Sequence, residues 1–234
     1  APFNIQSLKV IKGPAGSLYG AGTGGAVLLP TLPNNWQPGF PADYSGGSFG
    51  SNNINAQVRF GDSNNGNSIS FSHQISNGYR DHTQLRRDMA IWESVIKNTG
   101  RQTLKSLVSY GDLYYQTPGA LTLTEYKANP KQARPAAGVN PSADQSKAAI
   151  YQKTFMAAIS NEYRFSDRWK NNTNFYGAYT NYLNPTFRNY EIRNEPHFGG
   201  RTLFTYQSGV FQLNAGGEAQ KGFFKTEDFG NRNG

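Results

Sequence analysis

From Ser68 to Ser76 the chain alternates with a period of two. Ile69, Phe71 and Ile75 fall on one face; Ser68, Ser70, Ser72, Gln74 and Ser76 fall on the other. Successive side chains of a strand point to opposite faces, so this is a strand with one apolar and one wet side. Ile54 to Phe60 repeats the pattern, with Ile54, Ala56, Val58 and Phe60 against Asn55, Gln57 and Arg59. Phe211 to Gln220 repeats it again, with Phe211, Leu213, Ala215 and Ala219 against Gln212, Asn214, Glu218 and Gln220. The wet side is built from Ser, Asn and Gln rather than from charge. Charged residues are 16% of the chain, below the roughly 25% of ordinary soluble domains, while aromatics reach 14%.

Nine such strands follow the first 40 residues, near 42–50, 54–61, 67–78, 87–97, 103–115, 150–165, 169–190, 200–207 and 210–225. Asp62–Gly66, Lys97–Gln102, Ser166–Arg168 and Ser208–Gly209 read as tight turns of Gly, Asn, Asp and Ser. The connection from Gln116 to Ala149 is over 30 residues long, and Glu191–Gly199 reads as a loop of intermediate length. Within the long connection, Leu121–Gln132 can form a short helix, capped by Thr122 or Thr124 and stopped by Pro130.

Short turns at one end and long loops at the other mark an outer-membrane barrel. Ile150–Phe165 and Trp169–Tyr190 exceed the five or six residues of a typical soluble strand. Tyr163, Phe165 and Trp169 gather at one tight turn, where an interfacial aromatic girdle would sit. Lys153 interrupts the apolar face of the sixth strand near its loop end, where a lysine can snorkel. His73 lies on the apolar face of the third strand, and the alternation gives no reason for it. A sheet in lipid has to close, because an unpaired edge is costly there. Nine is an odd number, and Asp228–Gly234 reads as an unfinished loop, so the expected architecture is part of a larger barrel. A soluble β-sandwich binding module is the alternative that shares the alternation.

Several chemistries are excluded or weak. The absence of Cys removes disulfides, thiolate metal sites and a cysteine nucleophile. No run of 18 apolar residues offers a transmembrane helix. Gly20–Gly25 satisfies G-x-G-x-x-G, but a strand rather than a helix follows, so no helix N-terminus meets a pyrophosphate. Gly46–Gly50 satisfies G-x-S-x-G without the strand-to-helix turn of a nucleophile elbow. His73, His82 and His197 share no metal-ligand spacing. The net charge of +8 invites a nucleic-acid reading, but the basic residues form no single stripe and no paired aromatic platforms accompany them. No nucleic-acid partner and no enzymatic activity are expected.

The first 40 residues differ in character. Val10-Ile11-Lys12-Gly13-Pro14, then Ser17-Leu18-Tyr19-Gly20, then Gly24-Gly25 before an apolar strand, resemble the end of the plug domain of TonB-dependent outer-membrane receptors. The version here is similar to siderophore-type receptors of the Bacteroidetes group. The resemblance extends softly through Gln116–Thr122 and Ala128–Pro135. It implies an all-β fold: about nine antiparallel strands of a transmembrane β-barrel of about 22 strands, with the end of the plug. Residues 1–40 would be plug end and linker, and 41–234 barrel. It implies residence in the bacterial outer membrane among lipid and lipopolysaccharide. It also implies a ferric siderophore or similar anionic ligand, a TonB-type energy-coupling partner acting through an upstream segment, and no resident cofactor, iron being cargo. The acidic residues that the family often places before Lys-Gly-Pro are replaced by Gln6, Ser7 and Lys9, which keeps open a non-transporting architectural subunit.

Arg80, Arg86 and Arg87 in the second long-side loop, and Lys131 and Arg134 in the third, are the candidate ligand contacts. Arginine forks suit carboxylate, hydroxamate or catecholate oxygens, and Tyr114, Tyr115 and Tyr126 nearby can cover an organic scaffold. The plainer reading is a basic rim facing lipopolysaccharide phosphates.

Overall fold

The computed structural model describes residues 7–13, 24–30, 32 and 36–231. It divides into two compact units, residues 1–37 and 38–234. In the first, β1 (Lys9–Lys12) and β2 (Gly25–Leu28) form an antiparallel ribbon, with Lys12 opposite Gly25. Gly25 has φ +127, and a Cβ there would stand 2.0 Å from the Ile11 carbonyl oxygen, so the ribbon needs glycine at this point. Thus the G-x-G-x-x-G run leads into a strand. The Ser17–Gly20 part of the motif lies outside the described residues.

The second unit is one antiparallel sheet. Its strands are β3 (Ala42–Gly47), β4 (Ser51–Gly61), β5 (Gly66–Ser76), β6 (Leu85–Asn98), β7 (Gln102–Gln116), β8 (Ala149–Arg164), β9 (Trp169–Pro185), β10 (Asn189–Ser208), β11 (Phe211–Gly222) and β12 (Lys225–Gly230). Each of β3 to β10 pairs with its neighbour in sequence. β11 and β12 both lie on the free side of β10, in a single register: His197 faces Gly222 and Asn194 faces Lys225. They are one edge strand interrupted at Phe223-Phe224. Pro196 causes the break. Its carbonyl accepts from the Phe223 N–H at 2.9 Å, but it has no N–H to return to the ladder. Counted this way the sheet has the nine strands expected from the sequence.

Two stretches differ from expectation. Asp228–Gly230, read from sequence as part of a loop, are strand residues of β12 opposite Asn189–Glu191, because the ladder with β10 resumes after the break. Glu191–Gly199 is strand, not connection, and the ninth-to-tenth strand turn is only Thr186–Arg188. The Thr186 hydroxyl accepts from the N–H groups of Arg188 and Asn189, which closes the turn. The charges that read as loop alternate along one face of β10, where Arg193 pairs with Glu191 at 3.1 Å and Glu195 at 3.3 Å.

Turn chemistry at the opposite end is repetitive. The Asp62 carboxylate, the Thr99 hydroxyl and the Ser166 hydroxyl each accept two backbone N–H groups from the following residues. Gly46–Gly50 forms the end of β3 and its hairpin turn, with Phe49 and Gly50 at positive φ, so Ser48 does not sit on a nucleophile elbow.

The faces are inverted relative to a soluble sheet. Ser68 and Ser70 are 2% and 4% exposed, whereas Ile69 and Phe71 between them are 45% and 48% exposed. Asn55, Gln57 and Glu93 are likewise buried, with Ile54, Val58 and Phe60 exposed. Directly opposed residues share a face, so registers extend this outer surface across the sheet. Phe71, Ala90, Tyr110, Phe155 and Tyr179 form one lateral row, and Val58, Ile69, Trp92 and Val108 the next. A soluble antiparallel sheet packs its apolar face on a core. This one packs its polar face inward, which removes the β-sandwich alternative.

Candidate functional site

His73 and Lys153 acquire a reason once register is known. His73, Asp88, Asp112 and Lys153 are successive cross-strand neighbours on the outward face. His73 Nδ1 stands 2.6 Å from Asp88, Arg86 bridges Asp88 (3.5 Å) and Asp112 (3.1 Å), and Lys153 reaches Asp112 at 3.8 Å. Counted from the tight-turn end, Asp88 is ten residues from Asn98, Asp112 ten from Gln102, Lys153 eleven from Arg164 and Lys221 ten from Phe211. A tilted strand needs about 9–11 residues to cross hydrocarbon. The outward charges therefore begin where one hydrocarbon thickness ends. At the other edge of this band, Tyr163 packs on Phe165 (5.0 Å), Phe165 on Phe204 (6.4 Å) and Trp169 on Tyr206 (4.9 Å), forming the expected girdle.

Beyond the charged row lie the loops. The long one, residues 117–148, folds on itself. Its helix α1 (Leu123–Ala128) starts at Thr122, which forms a capping box with Glu125, and Pro130 follows its end. The Arg134 N–H donates to the Pro118 carbonyl at 2.7 Å, and the Ala143 N–H donates to the Arg134 carbonyl at 3.0 Å. Ala143, Ala148, Ala149 and Ile150 are buried, and the Ala148 N–H donates to the Ala143 carbonyl at 3.0 Å. The loop is then tied to its neighbours. The Asp81 N–H donates to the Lys131 carbonyl at 2.7 Å, and His82 Nε2 lies 2.7 Å from the Ala148 carbonyl oxygen. Asn231 donates to the carbonyls of Ser146 and Thr186.

The Glu125 carboxyl is held below its usual range, first by the Thr122 backbone N–H and then by the Thr122 hydroxyl. A carboxyl whose folded pKa is depressed stabilises the fold above its unfolded pKa, and that support disappears as pH falls through the folded value. The protection factor of the amides at the start of α1, their exchange relative to the intrinsic rate at each pH, is therefore expected to fall on acidification below the ordinary carboxylate range. Glu125→Gln should flatten this pH dependence; an unchanged profile in the variant would contradict the assignment.

The five basic residues singled out from sequence have different surroundings. Arg80 donates through Nε and Nη2 to the Gln132 carbonyl (3.2 and 3.0 Å) and through Nη2 to the Gly119 carbonyl (3.0 Å). Arg134 donates to the Pro141 carbonyl and lies 4.2 Å from the centre of the Phe187 ring. Lys131 sits over Tyr79 at 5.7 Å. These three come together in the tied loops. Arg86 belongs instead to the outward charged row, and Arg87 faces inward, opposite Gln74 and Leu113. Sequence reasoning missed Arg193, an inward cation 4.3 Å from the Tyr182 ring and 5.6 Å from the Phe224 ring. The alternation of Glu191, Arg193 and Glu195 around Ile192 was the available signal. Between the second and third loops Arg80, Leu121, Thr122, Leu123, Tyr126 and Pro130 line a pocket of about 420 Å³.

No family model matches the chain. Solved structures do. The copper transporter OprC superposes with a TM-score of 0.74 at 16% identity, over 97% of this chain and 35% of that one. The ferric citrate transporter FecA, in its unliganded form, gives 0.72 at 17%, over 96% and 36%. BauA, the ferric preacinetobactin receptor from Acinetobacter baumannii, gives 0.73 at 15%, over 99% and 38%. The chain thus spans little more than a third of the length of these proteins. At such identities the likeness establishes the fold alone, an antiparallel run of strands that matches part of these longer chains.

Proposed function

We propose that this chain is part of a TonB-dependent receptor of the bacterial outer membrane, importing a ferric siderophore or a similar oxygen-rich anionic chelate. The observation that carries the reading is the inverted sheet: apolar side chains outward over a ten-residue band, polar side chains inward, and tied loops beyond the charged edge. A wet interior behind a lipid-facing wall is a conduit, and the loops are its entrance. Named cargoes of proteins that share the fold, copper, ferric citrate and ferric preacinetobactin, support a metal-bearing ligand. Residues 1–40 are assigned to the end of a plug on their Lys12-Gly13-Pro14 and Gly24-Gly25 motifs. Plug rearrangement, driven by a TonB-type partner, would admit the cargo, and no covalent step is required.

The test is uptake of labelled ferric chelates by cells that carry the intact gene, compared with a deletion strain, with and without an uncoupler of the proton motive force. Gene-dependent uptake that the uncoupler abolishes is expected. Uptake equal in both conditions would remove energised import. No gene-dependent uptake, from a protein that still assembles in the outer membrane, would leave the architectural reading suggested by Gln6, Ser7 and Lys9.

A further inference from the structure

The pocket between the second and third loops has an unusual floor. The Arg80 guanidinium is fixed in place by two backbone carbonyls, those of Gln132 and Gly119, through Nε and Nη2. Carbonyls orient a guanidinium but do not neutralise it. Among the described residues Arg80 makes no ion pair, and its Nη1 donors are not taken up by any hydrogen bond. Asp81, next to it in sequence, forms no ion pair with it, and Glu125, on the helix that lines the pocket, accepts from the Thr122 N–H and hydroxyl. The floor thus presents a half-buried, uncompensated and pre-oriented cation.

The walls are of the opposite kind. Leu121, Thr122, Leu123, Tyr126 and Pro130 line the rest of the pocket. Leu123 and Tyr126 are three residues apart on α1 and so share one face of the helix. They are 69% and 58% exposed, so α1 offers an uncovered apolar face to the pocket. A fixed guanidinium is worth most where water is kept from the ion it binds, and here that exclusion has to come from a ligand body covering these exposed side chains. A pocket combining one such cation with apolar walls favours an anion that carries an organic body over a small hydrated ion.

We propose that this pocket binds the carboxylate, or a comparable oxyanion, of a ligand with an aromatic or apolar body. Arg80 Nη1 anchors the anion, and Leu121, Leu123, Tyr126 and Pro130 cover the body. The inference rests on the loop end being the ligand's entrance, and it narrows the ligand from any anionic chelate to one that displays an organic acid group at its surface.

The test uses the intact protein in detergent micelles, with benzoate as probe and benzamide as its uncharged isostere. Binding is read by ligand-observed saturation-transfer NMR and by titration. Benzoate should saturate in the millimolar range and benzamide should not. Arg80→Lys keeps the charge but loses the planar fork, and is expected to weaken benzoate about tenfold. Because Arg80 also ties the loops, Tyr126→Ala serves as the second variant: it removes a wall, leaves every tie intact, and should weaken benzoate by a similar factor. Equal binding of benzamide, absence of saturable benzoate binding, or indifference to both substitutions would each overturn the site. Energised uptake is measured separately in cells. Loss of uptake with benzoate binding intact would count against transport, not against the pocket; intact uptake with no benzoate site would do the reverse.

Discussion

Phe71→Arg is expected to destabilise the barrel, and Ser72→Arg is expected to be tolerated. The two positions are adjacent, so position along the chain cannot account for a difference. Phe71 lies five residues from the tight-turn end of β5 and two from His73, in the outward row next to the charged one. It is 48% exposed on the outward face, between Ala56 and Ala90. An arginine there would have to sit in hydrocarbon just inside the charged edge, at a cost of about 1–2 kcal/mol, between the midplane and interface values. The row above cannot rescue it readily, because Asp88 and Asp112 already hold His73, Arg86 and Lys153. Ser72 points inward with Asn55 and Met89 opposite, on the face that the sequence fills with Ser, Asn and Gln. A guanidinium on that side finds polar partners. Folding into lipid vesicles, followed by urea titration of the folded fraction, should show the outward variant destabilised by that amount and the inward one within about 0.5 kcal/mol of the parent. Equal effects would mean that the faces are misassigned, and the conduit reading would fall with them.

The faces were readable in the sequence because a period of two needs only neighbours along the chain. Ser68 to Ser76 states its own inside and outside. The strand count was readable for the same reason, and so was the cap of α1, where Thr122 and Glu125 are three residues apart. What escaped depends on register. His73 looked misplaced while only β5 was in view; it becomes one member of a charged row once Asp88, Asp112 and Lys153 are set beside it by three ladders. Residues 191–199 read as loop because Glu191, Arg193 and Glu195 look solvated. Their charges compensate one another along one face of β10 while Ile192 turns to the other. The roles of Arg80 and Arg134 were hidden more deeply. Arg80 donates to carbonyls 39 and 52 residues away, and no local pattern announces such a partner. A basic residue in a loop shows the charge available; only the fold shows whether that charge faces a ligand or holds the loop closed.

Arg134 puts that distinction to a test. Its guanidinium reaches back to the Pro141 carbonyl, stacks on Phe187 at 4.2 Å, and its side chain packs on Gly119, where a Cβ would come 2.9 Å from Arg134 Cβ. Gly119 has φ +71, so the backbone there is already set for this approach. Arg134 thus joins the two ends of the long loop and braces it against the turn between β9 and β10. Arg134→Ala removes a charge-assisted hydrogen bond of about 1.5–3 kcal/mol, in addition to the ring contact, and leaves a carbonyl in need of a donor. The expected result is local: limited proteolysis within residues 117–148 should accelerate by at least about tenfold, since 1.4 kcal/mol of local opening is a factor of ten when cleavage follows the open population. The barrel strands should keep their resistance. Lys131→Ala is the comparison, because its side chain only lies over the exposed Tyr79 ring while its backbone carbonyl, which ties Asp81, is untouched. Cleavage of that variant should match the parent. If instead Lys131→Ala loosened the loop and Arg134→Ala did not, the tie would not run through Arg134, and its guanidinium would again be a candidate for direct contact with the cargo.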